Sequence, residues 1–340
     1  MLKLRRAMVV SADPLETEVN GERRRAWADE AMVGACEVGD ELIVNVEALD
    51  LGLGSGGFDI VHVNLTRGLD ARGSDTEHVM KLNYSSLQHP VGTIERMVGD
   101  EDEAFEPAVP VLAIGLHGHL APAAWAAANA SADNRPRLGY IQTGGGALPG
   151  GLSNDVKELL DRDLLAGHVT AGASYGGESE AITLIGAIDA ARGLGWDGVI
   201  AGPGPGILGS ATAYGHGGMT GLDVAHSGLA LGAPVVLSPR LSAGDPRPRH
   251  QGLSHHSQAV LNLLLGKVSL PLPVGREDLA GLVGSLGSQD HEVTFESVDL
   301  EGYAASGLPR KSMGRDLEED PDFFSGPLAA GARLAALITG

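Results

Sequence analysis

The sequence predicts an α/β protein, a Rossmann-like, doubly wound and mostly parallel sheet preceded by a small antiparallel, barrel-like β domain. Three observations lead there. From Val109 onward, short apolar runs of buried-strand character alternate with stretches of helical period, the pattern of a parallel sheet covered on both faces. Before about residue 98 the apolar period is two and the punctuation is by turn residues, as in a small antiparallel sheet or barrel. The 50 glycines, with 43% hydrophobic and only 4% aromatic residues, match a glycine-rich α/β composition rather than a disordered or fibrous one. A chain of 340 residues exceeds one ordinary core, so the organisation read from it is a β-rich domain over 1–98, an acidic linker over 99–108 and the α/β domain with a C-terminal helix over 109–340.

Each element has its own signal. After the Gly39-Asp40 turn, Leu42, Val44 and Val46 fall on one face of a strand, and Asp59-Ile-Val61-His62-Val63-Asn64-Leu65 repeats that period. The glycine-rich run from Leu51 to Gly57 supplies the turn between them. The run Gly99-Asp-Glu-Asp-Glu103, with Pro107 and Pro110 behind it, reads as solvated linker. Strands are then expected at 111–116, 138–142, 168–171, 198–201, 235–237 and 268–272, with helices near 120–130, 154–165, 178–192, 219–231 and 255–265. The second helix is the clearest: Ser153 as N-cap, Asp155 in the first turn, a stripe of Val156, Leu159, Leu160 and Leu164, and Gly167 as stop. A last helix covers 328–338.

Charge and composition narrow the partners. The balance of 24 basic against 44 acidic residues, −20 in all, repels phosphate backbones and anionic lipid, which argues against nucleic-acid and membrane-surface partners. The lone Cys36 excludes an intrachain disulfide and fits a reducing compartment. The basic start Met1-Leu-Lys3-Leu-Arg5-Arg6 is followed by an apolar run, Ala7 to Val10, too short for a signal peptide, and no apolar stretch reaches membrane-spanning length. A cytoplasmic protein is expected. Its Ala/Gly/Leu-rich C-terminus and sheet edges leave a homodimer open.

Against that acidic background one segment is basic: Arg240-Leu-Ser-Ala-Gly-Asp245-Pro-Arg247-Pro-Arg249-His250-Gln-Gly-Leu-Ser254-His255-His256-Ser257 holds three arginines and three histidines against one acid. Fixed guanidinium groups, with prolines stiffening the backbone between them, are suited to holding an anion. Ser254 is sufficient as an N-cap for the helix it precedes. His255 and His256 then lie in a first turn, where the helix dipole favours a neutral imidazole able to move a proton or ligate a metal. Adjacent helical residues diverge by about 100°, so one of the two is expected to face the site.

In a doubly wound sheet, ligands bind beyond the carboxyl ends of the strands. His117-Gly-His119, Thr143-Gly-Gly-Gly146, the stretch from Thr170 to Glu180, Gly202-Pro-Gly204-Pro-Gly206-Ile-Leu-Gly209 with Tyr214-Gly-His216-Gly-Gly218, and the Arg/His segment all follow predicted strands. If the first strand continued, His117 and His119 would aim to one side. Gly204 to Gly209 matches G-x-G-x-x-G, but Pro205 and the Ser-Ala-Thr-Ala-Tyr that follows fit poorly with a helix opening there, so a dinucleotide fingerprint is disfavoured. The alternatives are an anion nest of backbone N–H groups, or close approach of a neighbouring helix. Glu178 and Glu180, in the first turn of the helix expected at 178–192, would either compensate the helix dipole or bind a cation or do acid/base work, Glu180 being the better candidate for the latter roles.

The Arg/His string, Thr170-Ala-Gly172 with Gly176-Gly177-Glu178-Ser-Glu180, and Gly202-Pro-Gly204 together resemble the bacterial family called domain of unknown function 3866. The likeness extends to Gly39-Asp40 with Asn45, to His78-Val-Met-Lys81-Leu-Asn83-Tyr84-Ser-Ser-Leu87-Gln88, and to Ser312-Met313-Gly314-Arg315, and so covers nearly the whole chain. It brings no activity with it. It implies that Lys81 and Tyr84 join the site. Asn83 stands where the family tends to carry a basic residue and Thr143 where an acid is common.

The leading expectation is an enzyme acting on a small anionic metabolite, phosphate- or carboxylate-bearing. Its anion is held by Arg240, Arg247 and Arg249, with Asp245, Ser254, His117, Lys81, Tyr84 and the backbone of Gly202, Gly204 and Gly206 assisting. His250, His255, His256 and Glu180 carry the acid/base work. No cofactor is identified and no residue is assigned to a metal. A divalent-metal hydrolase using histidines with Glu180 or Asp245 ranks lower for want of a ligand-spacing motif. A sensor that binds a nucleotide or acidic metabolite without turnover is the other reading.

Overall fold

The computed structural model describes residues 1–53, 56–70, 73–74, 77–95, 108–130 and 135–340. They form two compact units, Met1–Val91 and Gly92–Gly340.

In the first unit, β1 (Leu4–Ala12), β2 (Leu15–Val19), β3 (Glu22–Trp27), β4 (Glu41–Asn45) and β5 (Asp59–Asn64) close into a barrel of order β1-β2-β3-β5-β4. Four of its pairs are antiparallel, and β3 meets β5 in parallel. Val9, Val19, Leu42, Val44 and Val61 fill the interior, the inward half of the period-two pattern. The short α1 (Glu30–Val33) and α2 (Glu47–Asp50) lie between strands, and a hairpin of β6 (Val79–Lys81) and β7 (His89–Val91) follows. Lys81 ends β6. Tyr84 stands exposed at φ 59° in the turn, its N–H donated to Gln88 Oε1 at 3.2 Å.

The second unit holds an eight-stranded, wholly parallel sheet. Its strands are β8 (Val111–Ala113), β9 (Leu138–Thr143), β10 (Gly167–Ala171), β11 (Ser179–Ala181), β12 (Gly198–Pro203), β13 (Val235–Leu237), β16 (Ser269–Pro273) and β17 (Glu292–Glu296), in the order β11-β10-β9-β12-β8-β13-β16-β17. On one face, α3 (Leu120–Asn129), α4 (Asn154–Asp161), α9 (Leu300–Ala305) and α10 (Pro321–Thr339) pack around Leu112, Tyr140, Ile200 and Val236. On the other, α5 (Leu184–Asp189), α6 (Thr220–Ala230), α7 (His255–Leu263) and α8 (Ala280–Val283) pack around Val111, Ile141, Val199 and Leu270. Strand residues alternate between the two cores, as a sheet covered on both sides requires. No helix among the described residues is long and apolar enough to cross a membrane.

Several boundaries differ from the sequence reading. The second unit begins at Gly92 because Thr93 bridges to Glu180 and Ile94 is buried in the core around Val111; the linker expected at 99–108 lies, but for Ala108, outside the described residues. The helix expected from 178 starts only at Leu184, where the Thr183 hydroxyl accepts the Gly186 N–H at 3.0 Å. Residues Ser179–Ala181 instead form the edge strand β11, pairing in parallel with β10. Glu178 and Glu180 therefore do not compensate a helix dipole. Helix α4 keeps its Ser153 cap, accepting from Val156 N–H at 3.1 Å, but ends at Asp161, and Gly167 opens β10 rather than stopping the helix. The edge strand β17 escaped the sequence reading because Glu292 and Glu296 break its apolar run.

Candidate functional site

Strand β8 leads into α3 on one face of the sheet, whereas its neighbour β13 leads, through the Arg/His segment, into α7 on the other. Where successive connections part to opposite faces, a crevice opens at the carboxyl ends of the strands. Beside this divergence the structure gathers Arg240, Asp245, Arg247, Arg249, His250, Ser254, His255 and His256, joined by His119, His216, Met313, Arg315 and Asp320.

The Arg/His segment is held by its own short pairing. The two-residue strands β14 (Leu241–Ser242) and β15 (Gly252–Leu253) pair antiparallel, so the chain from Ala243 to Gln251 forms a loop closed at its base. Asp320, at the start of α10, fastens that loop: its carboxylate accepts from Ser242 Oγ at 2.6 Å, from Ala243 N at 3.0 Å and from Gly244 N at 3.1 Å. Asp245 is fully buried and organises the charges. It accepts from Arg247 Nε at 2.9 Å and Nη2 at 2.7 Å and from Arg315 Nη2 at 3.2 Å, and it lies 3.7 Å from Arg240 Nη2. The guanidinium groups, Arg247 first, hold its carboxyl far below the usual range.

Three guanidinium groups, those of Arg240, Arg247 and Arg315, thus share two carboxylates, Asp245 and Asp320. Arg247 turns two donors inward onto Asp245, and Arg315 is divided between Asp245 and Asp320, which it reaches at 3.0 Å. Arg240 is different. It is only 4% exposed, donates through Nη1 to His256 Nδ1 at 2.9 Å and through Nη2 to Met313 Sδ at 3.5 Å, and its Nε has no partner among the described residues. Burial, with Arg247 close by, pushes Arg240 down to about 10, which leaves it cationic at neutral pH. Arg249 is exposed and makes no ion pair among the described residues; its Nε lies 3.5 Å from His250 Nε2.

The imidazoles pack on one another. His216 stacks on His256 with centroids 3.6 Å apart, His255 lies 4.4 Å from His256 and 4.8 Å from His250, and His250 lies 5.0 Å from His256. Both members of the His255-His256 pair therefore join the cluster, contrary to the expectation of one: at a helix start flanked by other histidines, sites exist on both sides. Burial and the nearby Arg240 lower His250 to about 3 and His256 to about 2, and burial lowers His216 and His255 as well. Neutral rings are the consequence. Ser254 does two things, accepting the His256 N–H at 3.3 Å and pairing with His250 Nδ1 at 2.8 Å.

Other predicted residues lie elsewhere. Glu180 is on the edge strand β11, five strand spacings from β13 and hence about 24 Å away; it accepts from Thr170 Oγ1 at 2.7 Å and from Gly176 N at 2.6 Å. His117 and His119 share a 3-10 turn, not a continued strand, and so diverge. His117 turns to Ser153 Oγ at 2.7 Å beside Tyr140, and burial lowers it to about 4. His119, paired with Ser238 Oγ at 2.9 Å, faces the Arg240 side instead. His119, Ser238, Arg240, His256 and Gly218 line a cavity of about 20 Å³, room for one water molecule. Gly202 and Gly204 admit backbone, not ligand: a Cβ on Gly202 would lie 2.4 Å from Ile114 O, and one on Gly204 2.3 Å from Ala147 O. Gly206, at φ 69°, is a turn residue with open space at its Cβ position. Lys81 and Tyr84 belong to the first unit.

The sequence reading passed over His216, His119, Arg315 and Asp320 as site residues. His216 was visible as the polar residue in a glycine-rich stretch after a strand, and Arg315 within the resemblance. Nothing in the order of residues marks Asp320. A second cleft, of about 460 Å³, lies beyond β9 and β10, lined by Thr143, Gly145, Ala171, Gly172 and Asp223, with His216 on its wall. Thr143 there pairs with Thr220 Oγ1 at 2.7 Å.

A doubly wound α/β unit with an Arg/His cluster at its strand ends, accompanied by a small closed barrel, is the class of protein that fold and site define. The chain belongs to the family described as protein of unknown function (DUF3866), whose model matches residues 25–331. Comparison with curated proteins and with solved structures gave no match.

Proposed function

We propose that this protein is an enzyme acting on a small phosphate- or carboxylate-bearing metabolite at the carboxyl ends of β8 and β13. One observation carries the reading: three guanidinium groups converge on two carboxylates, and among the described residues Arg249 beside them has no ion pair and Arg240, buried, has an Nε without a partner. A surplus of fixed cations in a chain of formal charge −20 is costly unless an anion completes it. Arg240 and Arg249 hold the anion, since Arg247 and Arg315 are mostly engaged by Asp245 and Asp320. His250, with one nitrogen on Ser254 and the other toward Arg249, is placed to pass a proton. Asp245 and Ser254 position these groups. Glu180 has no part at this distance.

Thermal-shift titration with inorganic phosphate, pyrophosphate and citrate tests it. Stabilisation that rises with anion concentration and is lost in Arg249→Gln, but kept in Arg25→Gln on the barrel, supports the proposal; no shift with any of the three at millimolar concentration overturns it. For the sensor reading, His250→Gln is decisive once a substrate is found, since an enzyme keeps binding and loses turnover.

A further inference from the structure

We propose that His216, His255 and His256 form a binding site for a divalent first-row transition metal, with zinc as the type ion. One ligand nitrogen from each of the three lies within 4.8 Å of the others. In a tetrahedral zinc site with Zn–N bonds of 2.0–2.1 Å, nitrogens stand about 3.3 Å apart, so closure asks for side-chain movements of the order of 1 Å. The site stands on the imidazole geometry alone and does not depend on the anion reading.

The tautomers are set for ligation. His216 Nε2 lies 3.1 Å from the carbonyl of Ala213, which makes it the N–H and leaves Nδ1 with a free lone pair. That Nδ1 is buried and has no hydrogen-bond partner among the described residues, in a residue only 8% exposed. A ring nitrogen bonded to a backbone carbonyl while the other aims a bare lone pair inward is the usual outer support of a metal-bound histidine. His255 Nε2 is likewise buried and without a partner among the described residues. His256 Nδ1 already directs its lone pair at a cation, Arg240 Nη1. A metal takes over that role, and Arg240, with Nη1 released, is then free to hold an anion on the metal's open position.

Glycine makes the room. A Cβ built on Gly218 would stand 3.1 Å from His216 Nδ1 and 3.4 Å from His256 Nδ1, so the two nitrogens border one small space that the missing side chain leaves open. The rings of His216 and His256 are stacked at 9°; a metal on their shared edge needs the planes to fan apart, and Gly215, Gly217 and Gly218 around His216 give its backbone the freedom to do so. The ligands come from two connections, one after β12 and one after β13, with a spacing of 216 to 255–256 that no contiguous motif announces.

The test uses the full chain, stripped with chelator and titrated with Zn²⁺ or Co²⁺ alone in a non-coordinating buffer. Calorimetry is expected to show one saturable site per chain, and Co²⁺ to give the intense visible bands of four-coordinate geometry. His216→Ala and His255→Ala each weaken the site at least 100-fold, Gly218→Ala blocks it with all three histidines retained, and His62→Ala on the barrel leaves it intact. Should a variant fail to fold, paramagnetically shifted imidazole resonances of the wild-type Co²⁺ protein decide: three coordinated histidines support the proposal and fewer overturn it. Absence of a saturable site in the wild type, or a site unchanged in folded His216→Ala, also overturns it.

Discussion

Replacing Asp245 by Asn probes the charge arrangement most directly. The substitution keeps the shape of the side chain and removes the one buried carboxylate that faces Arg240, Arg247 and Arg315 together. Its new amide hydrogens point at guanidinium donors. Breaking a buried ion pair by removing one partner costs about 3–5 kcal/mol. Arg247, with a side chain 47% exposed, can turn its charge to water, and its share of that cost falls. Arg240, with a side chain 5% exposed, cannot. The lower end, about 3 kcal/mol, is therefore expected. For a unit of this size, 1 kcal/mol corresponds to about 2–4 °C in Tm, so calorimetric melting at pH 7.5 should show the transition of the α/β unit falling by about 6–12 °C. The double variant Arg240→Met/Asp245→Asn removes the stranded charge along with its partner and should recover part of the loss, giving a cost below the sum of the two singles. A drop of less than about 2 °C in Asp245→Asn, or strict additivity in the double variant, would refute the claim that Asp245 balances the buried Arg240.

Acid should destabilise the α/β unit early. His117 and His168 are lowered by burial to about 4 and His119 to about 3, whereas in the unfolded chain each titrates near 6.5. Between those values the unfolded state binds more protons, so stability is full above about pH 6.5 and is lost as the pH falls toward the folded values; from pH 7 to 5 each histidine contributes a loss of about 2 kcal/mol. Urea midpoints over that range should show it, and His168→Gln should reduce the loss between pH 7 and 5 by about 2 kcal/mol. Gly139→Ala should disrupt the sheet, because a Cβ there would lie 1.8 Å from the ring of buried Trp196 and neither the strand nor the indole has room to yield. A loss above about 3 kcal/mol in urea unfolding is expected, and a near-neutral variant would show that Trp196 is not fixed against β9.

The small barrel ahead of a parallel sheet, the six strands proposed for that sheet and the capped helices α4 and α7 were legible because each rests on local rules, apolar period and an N-cap hydroxyl. The failures share a cause as well. At Glu178 the residues looked like a helical first turn, yet Gly176, at φ 75°, turns the chain back so that β11 pairs with β10, a contact no local rule contains. Strand order was equally invisible, and with it the fact that Glu180 sits at an edge while the Arg/His segment follows the sixth strand across. Proximity along the chain did serve for Arg240 to His256, because one small hairpin, β14 with β15, carries them all.

Donor counting separates arginines that the sequence could only list together. Arg247 spends Nε and Nη2 on Asp245, and Arg315 spends Nε on Asp320 and Nη2 on Asp245. These two mainly build the loop. Arg240 has Nη1 on a histidine lone pair, Nη2 on a thioether and 3.7 Å from Asp245 without a hydrogen bond to it, and Nε without a partner among the described residues, and Arg249 has only a 3.5 Å approach to His250. A guanidinium bonded to weak acceptors exchanges them for an anion at little cost, whereas one clamped by a buried carboxylate does not. In the proposed reading the loop arginines fix where the charge sits, and the pair with weak partners, one buried beside His256 and one exposed beside His250, would hold the anion.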